Sequence, residues 1–207
     1  MPNKLLNLQP GILCTSEALK NLSEKASAKV LVCSDTHGNY DILEDIIQKY
    51  AVDCDALVFC GDGICDFESF FTYAQTDSAL LASLPEVFAF VRGNGDSSVM
   101  HLPGKRIQSL PVPQCTELTV AGKKILAIHG HQLGVYTGID GLINWAAAKN
   151  PSAVFFGHTH VPEKVDFYNC LYLNPGSPAR PRSSSGPTIA IVHFYSNGSV
   201  SPEFFRL

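Results

Sequence analysis

The sequence predicts an α/β fold with its functional residues at the carboxyl ends of sheet strands, and three observations carry that expectation. First, three short apolar runs, over residues 29–34, 56–60 and 87–91, read as buried strands. Second, each run leads into a loop with an acidic residue: Asp35, Gly61-Asp62 and Arg92-Gly93-Asn94-Gly95-Asp96. Third, helical patterning fills the intervals, giving a β-α-β-α-β rhythm, and sheets of that kind place their site beyond the carboxyl ends of the strands.

The elements follow in order. Residues 1–27 read as an N-terminal extension to a domain over 28–207, with a short helix over 16–28 capped by Ser16. After Asp35 a helix is expected over about 39–50, with Ile42, Ile46 and Ile47 on one face. A loop and a helix run from Asp62 to about Leu84. The second half is richer in strands. Residues 117–121 and 123–128 flank Gly122 as a hairpin whose second arm ends at His129-Gly130-His131. A helix carries Leu142, Ile143 and Trp145, and a strand over 154–156 ends at Gly157-His158-Thr159-His160. Further strands over 164–167, 170–173, 188–194 and 200–205 are expected to form a second sheet packed on the first. Residues 178–187 form a Pro/Ser/Arg-rich loop, with strand signals resuming after it.

Composition narrows the class. The chain has 207 residues, 45% hydrophobic and 16% charged, which fits one folded domain rather than a disordered chain. The net charge of -4 gives no indication of nucleic-acid binding. Seven cysteines with no C-x-x-C read as reduced, mostly buried thiols. No apolar run is long enough to span a bilayer, and the first residues lack the pattern of a secretory signal, so a cytoplasmic protein with no membrane partner is expected.

Five segments carry the chemistry: Asp35-x-His37, Gly61-Asp62, Gly93-Asn94-Gly95-Asp96, His129-Gly130-His131 and Gly157-His158-Thr159-His160. Each sets Asp, Asn or His beside glycine. Side chains two apart in extended backbone point to opposite faces, so an x-spaced pair meets one ion only where the chain turns, and the glycines are expected to permit that turn. Each segment alone reads as an ordinary turn or cap. Together, in this order and followed by Asn174-Pro175-Gly176-Ser177, they resemble the calcineurin-like metallophosphoesterase superfamily. The likeness is strongest to its small prokaryotic phosphodiesterase branch, which is related to the retromer phosphoesterase-fold subunit.

That resemblance implies a four-layer α/β/β/α sandwich of two mixed β-sheets flanked by helices. It implies one metal ion on Asp35, His37, His160 and a bridging Asp62, and a second on Asp62, Asn94, His129 and His158. Mixed Asp, Asn and His donors suit Mn²⁺ first, with Fe²⁺, Zn²⁺ or Ni²⁺ as alternatives, over Ca²⁺. Two such ions, about 3.5–4 Å apart, activate a bridging water for in-line attack on phosphorus. Two divalent ions, two aspartates and a hydroxide leave a formal +1, which leans toward a small phosphodiester monoanion as substrate.

The sequence departs from the family at Gly95, where many members carry His and the prokaryotic branch often has Cys as a proton donor. General-acid help is worth about a hundredfold to ten-thousandfold. His131 or a metal-bound water is the candidate replacement, so Asn94, itself an expected ligand, and His131 are the expected catalytic residues. Asp96 is expected to hydrogen-bond a ligand histidine or the local backbone. Arg92, Arg180 and Arg182 read either as phosphate clamps or as solvated arginines. Asp66, Glu68 and Asp77 read as a solvated face, and 174–177 as a turn beneath the site. Phe67, Phe70, Phe71 and Tyr73 read as core or as a cleft wall. The alternatives to a phosphodiesterase are a non-catalytic interaction module on the same fold and a phosphomonoesterase or protein phosphatase; a homo-oligomer is compatible with any of them.

Overall fold

The computed structural model describes residues 7–102 and 107–207. Residues 1–6, part of the expected extension, lie outside it. Strands β1 (Asn7–Gln9) and β2 (Ile12–Leu13) open the chain. Helix α1 (Ser16–Glu24) follows, capped by Thr15, whose hydroxyl accepts from the Ala18 amide at 3.0 Å, one residue before the expected cap. β3 (Ala28–Cys33) leads to α2 (Tyr40–Ile46), capped by Asn39 and prolonged by a π-helical turn over Ile47–Ala51. Then come β4 (Ala56–Phe59), α3 (Ile64–Ala74), α4 (Ser78–Ser83) and β5 (Val87–Phe90). β6 (Val99–Leu102) pairs with β7 (Gln108–Pro111), a hairpin absent from the expected elements. The remainder is β8 (Cys115–Val120), β9 (Lys123–Ile128), α5 (Asp140–Ala147), β10 (Ala153–Phe155), β11 (Pro162–Phe167), β12 (Cys170–Pro175), β13 (Thr188–Phe194) and β14 (Val200–Arg206).

The strands form two large mixed sheets, but β13 and β14, expected in the second sheet, instead join the first, where β13 pairs antiparallel with β3. The first runs β1-β2-β5-β4-β3-β13-β14, with β3, β4 and β5 parallel. The second runs β11-β12-β10-β9-β8, with β9, β10 and β12 parallel. Residues 7–24 are joined to this body. β2 hydrogen-bonds to β5, and Ala18 and Leu22 of α1 enter the apolar cluster between the sheets. The reading of 1–27 as an appendage missed this because β1 and β2 are too short to show a period.

Side-chain alternation sorts the core into three apolar clusters. Leu31, Leu57, Phe88 and Phe90 pack on α2 and α3. Val30, Val32, Val58 and Ala89, one residue out of phase, face Ile125, Ala127, Phe155 and Leu173 of the other sheet. Leu126, Val154 and Phe156 turn the other way, onto Leu142 and Ala146 of α5. Phe67, Phe70 and Phe71 are fully buried core residues, with the Phe67 and Phe71 rings 4.6 Å apart, while Tyr73 is exposed. Among the described residues no helix is long and apolar enough to cross a membrane. The functional consequence of the topology lies at the strand ends. Parallel β3, β4 and β5 deliver Asp35, Asp62 and Asn94 to one edge, and parallel β9 and β10 deliver His129, His158 and His160.

Candidate metal centre

Two clusters of donor atoms form at that edge: Asp35, His37 and His160, and Asp62, His129 and His158, with the donors of each cluster within 4.8 Å of one another. Asp35 Oδ1 stands 3.3 Å from His160 Nε2, 3.7 Å from His37 Nε2 and 4.0 Å from His129 Nε2. Asp62 Oδ2 lies between the clusters, 3.8 Å from His37 Nε2 and 3.5 Å from His129 Nε2. His37 and His160 hold their Nε2 atoms 2.9 Å apart. Asp35, Asp62, His129 and His160 are buried, and His37 and His158 are half-buried.

The backbone makes this convergence at a cost. Asp35, His37, Asp62, His158 and His160 all have left-handed φ values, between 49° and 72°. Each such residue stores about 1–3 kcal/mol and persists only where its surroundings over-determine it. In the D-x-H and G-H-T-H segments the donors themselves therefore make the turn that was expected of glycine. Neighbouring glycines serve close approach instead. A Cβ at Gly93 would lie 1.9 Å from Asp62 Oδ1, and one at Gly157 2.0 Å from Ser34 Oγ. Cross-chain hydrogen bonds hold the strained backbone: Asp35 N donates to Gly61 O, His37 N to Asp62 O and Gly157 N to His129 O.

Hydrogen bonds also fix which imidazole nitrogen faces the site. His129 Nδ1 donates to Cys60 O at 2.8 Å and His160 Nδ1 to Arg180 O at 2.7 Å, which aims both Nε2 lone pairs inward. Asp35 Oδ1 and His129 Nε2 are buried without any hydrogen-bond partner among the described residues. An inward lone pair facing a carboxylate oxygen in a dry site requires a proton or a cation between them. The protonation tendencies express this. Burial opposes the charge of His129, yet Asp62 and Asp35 outweigh it and raise its pKa. Burial likewise opposes ionisation of Asp62, but His129 outweighs it and holds the carboxyl well below the usual range. Burial lowers the pKa of His37, and burial with His129 nearby lowers that of His158 to about 4. Donors about 2.1 Å from one ion stand about 3.0 Å apart at octahedral angles and about 3.4 Å apart at tetrahedral angles. The 2.9–3.8 Å separations here are close to that spacing, so the donor set fits divalent ions.

The other expected residues fall as follows. Asn94 is exposed on the Gly93–Asp96 loop, and its side chain forms no hydrogen bond among the described residues. Gly95 donates its amide to Asp62 Oδ1 at 2.8 Å. Asp96 bonds backbone rather than histidine: Oδ2 accepts from Asp62 N and Gly93 N, and Oδ1 from Gly63 N and Ile64 N. His131 sits beside His129 and His158, with ring centroids 5.4 and 5.9 Å away. Asn174 and Ser177 are buried braces: Asn174 Nδ2 donates to Gly157 O and Thr159 Oγ1, and Ser177 Oγ donates to Asp35 O.

The solvated-face reading fails for all three residues: Glu68 is half-buried, and its Oε2 accepts from His101 N at 2.7 Å. Asp66 is buried, and its Oδ2 accepts from Thr36 Oγ1 at 2.6 Å and Gly38 N at 3.0 Å, holding the D-x-H loop. Asp77 caps α4 through the amides of Ala79 and Leu80. Tyr136 was missed altogether. Its hydroxyl donates to His158 O at 2.9 Å and its ring stacks edge-on to His158. Its place two residues after Gly134 carries no sequence signal.

Residues 29–197 match the calcineurin-like phosphoesterase superfamily domain, and the chain belongs to that family. The family is one of hydrolases acting on phosphate esters. The chain is 28% identical over 163 residues to the probable metallophosphoesterase YsnB of Bacillus subtilis, covering 79% of this chain and 82% of that one. Its fold is similar to a predicted phosphoesterase of Streptococcus pneumoniae, with a TM-score of 0.61 and 24% identity over 88% of this chain and 99% of the other. It is similar in fold, too, to Vacuolar Protein Sorting 29 of Cryptosporidium parvum, with a TM-score of 0.61 and 16% identity over 87% and 99%.

Proposed function

We propose that the protein is a two-metal phosphoesterase acting on phosphodiesters. The observation that carries this reading is the pair of buried, unpartnered atoms, Asp35 Oδ1 and His129 Nε2, at the heart of two donor clusters. Asp35, His37 and His160 would hold one ion, His129, His158 and Asn94 the other, and Asp62 Oδ2, placed between the clusters, would serve both. Two bound ions, with Mn²⁺ the first choice, supply an activated water and neutralise charge on the phosphoryl oxygens. The formal +1 left by two divalent ions, two aspartates and a hydroxide supports a diester monoanion as substrate.

The chain's own groups do the rest. The imidazoles of His129 and His160 stay oriented by Cys60 O and Arg180 O, and Asp96 holds Asp62 by its amide. His131 donates the proton to the leaving oxygen in place of the side chain missing at Gly95. Burial and His129 lower the His131 pKa, which reduces the share of the imidazole that carries a proton to donate at neutral pH. Turnover of poor alkoxide leaving groups is then slow, and aryl diesters are preferred. Seven free cysteines, five of them buried, support a reducing, cytoplasmic setting.

Likeness in fold to Vacuolar Protein Sorting 29 raises a non-catalytic reading, but a scaffold has no use for a complete set of inward donors. The test is elemental analysis of the purified protein, then assays of bis(p-nitrophenyl) phosphate and p-nitrophenyl phosphate with Mn²⁺. Bound metal with faster diester turnover supports the proposal. No metal uptake and no turnover sinks it, and a faster monoester reaction removes the diester assignment.

A further inference from the structure

Three arginines stand near the metal centre, and none has a carboxylate within 4.0 Å among the described residues. Arg92 and Arg180 are close enough to His131 and His37 to disfavour protonation there. Arg182 is the one whose side chain the structure anchors. Its Nη1 donates to the Tyr136 hydroxyl, and its Cζ lies 5.7 Å from the Tyr136 ring centroid. The Tyr136 hydroxyl in turn donates to His158 O, and the ring meets the His158 imidazole at 4.6 Å. The Arg182 amide donates to His160 O at 3.1 Å. Both members of the pair are thus tied to the backbone of the two histidines of the G-H-T-H loop.

We propose that Arg182, anchored by Tyr136, binds a second phosphate group of the substrate, beyond the one that is cleaved. This rests on the phosphoesterase reading of the centre. One of the five guanidinium N–H donors is spent on tyrosine, and the exposed head keeps the rest of its planar fork for a ligand, a geometry that matches phosphate oxygens. Fixing an exposed arginine with no counter-charge gives no ion pair in return for its lost rotamer freedom, unless an anion completes it. The charge count of the inner site is already matched by a diester monoanion, so the surplus of Arg182, with Arg92 and Arg180 nearby, calls for further negative charge on the same substrate.

The test compares thymidine 5′-(p-nitrophenyl phosphate) with the same compound carrying a 3′-phosphate, using Mn²⁺-loaded protein. Calorimetry with thymidine 5′-phosphate and thymidine 3′,5′-bisphosphate gives a readout independent of turnover. The doubly phosphorylated compound is expected to have about tenfold higher kcat/KM, and the bisphosphate about tenfold tighter binding. Arg182→Gln brings both ratios close to one, Arg182→Lys keeps part of each because it keeps the charge without the fork, and Tyr136→Phe lowers both by releasing the anchor. Ratios near one in the wild type, or ratios unmoved in a folded Arg182→Gln protein, overturn the proposal. If the wild type turns over neither compound, the phosphoesterase reading fails, and the calorimetric ratio alone then decides for or against the phosphate site.

Discussion

Replacing Asp96 by asparagine tests how the centre is held together. The carboxylate accepts four backbone amides: Asp62 N at 2.6 Å and Gly93 N at 2.8 Å on Oδ2, with Gly63 N and Ile64 N, both at 2.9 Å, on Oδ1. An asparagine keeps one acceptor oxygen. In either flip its NH₂ group is set against two N–H donors that lose their partner. A hydrogen bond to a charged group is worth about 1.5–3 kcal/mol, so losing two sets an upper range of about 3–6 kcal/mol. Asp96 is half-buried and water can replace part of this, which brings the expected loss to about 2–4 kcal/mol. For a chain of this length that lowers the melting temperature by roughly 4–16 °C. The same amides place Asp62 and the Gly93–Asp96 loop, so Mn²⁺ affinity falls as well. Scanning calorimetry of metal-free protein and metal titration of the variant supply the two readings. A melting temperature within a degree of wild type together with unchanged metal affinity would refute the role given to Asp96.

Three further outcomes follow from the same geometry. Saturating Mn²⁺ at about a hundred times its dissociation constant adds about 2.7 kcal/mol per site and about 5.4 kcal/mol for two, raising the melting temperature by roughly 11–22 °C relative to EDTA-treated protein; no shift contradicts the metal centre. In metal-free protein the depressed pKa of His158, about 4, gives a definite sign. The unfolded chain takes up a proton there as pH falls through the ordinary histidine value near 6.5, while the folded chain resists until about 4, so this group costs stability increasingly between 6.5 and 4 and nothing above. Urea unfolding at pH 7 and pH 5 should show His158→Gln losing less stability on acidification than wild type, and parallel losses would contradict the shift. Finally, a Cβ at Gly95 meets nothing nearer than Asp62 Oδ1 at 3.4 Å, so Gly95→His is accommodated. It should raise turnover of an alkyl diester by about a hundredfold while changing an aryl diester far less, and an unchanged alkyl rate in a folded variant removes the missing-acid argument.

The residues that named themselves in the sequence did so for a local reason. Asp35, Asp62, Asn94, His129 and His158 each follow an apolar run, legible as a buried strand from five or six positions in the first four cases and from only three before Gly157-His158. Their convergence needed one more fact, that the strands are parallel within each sheet, which the β-α-β rhythm implied for β3, β4 and β5. What stayed hidden depends on partners far along the chain. Asp66 reads as an exposed helical acid until its bond to Thr36, thirty positions earlier, is seen. Ser177 holds Asp35 across 142 positions, and Arg182 meets Tyr136 across 46. No periodicity encodes such pairings. The left-handed donors were hidden for a related reason: Asp and His enter positive φ more readily than most residues, but nothing in the sequence marks which of them do, and the surrounding bonds hold that conformation. The braces and the strain are therefore two sides of one arrangement. Five donors sit in backbone states that isolated loops would leave, and the partners around them, Asp66, Asp96, Asn174 and Ser177, give those states their stability, so a substitution outside the donor set can disable the candidate centre without touching a donor at all.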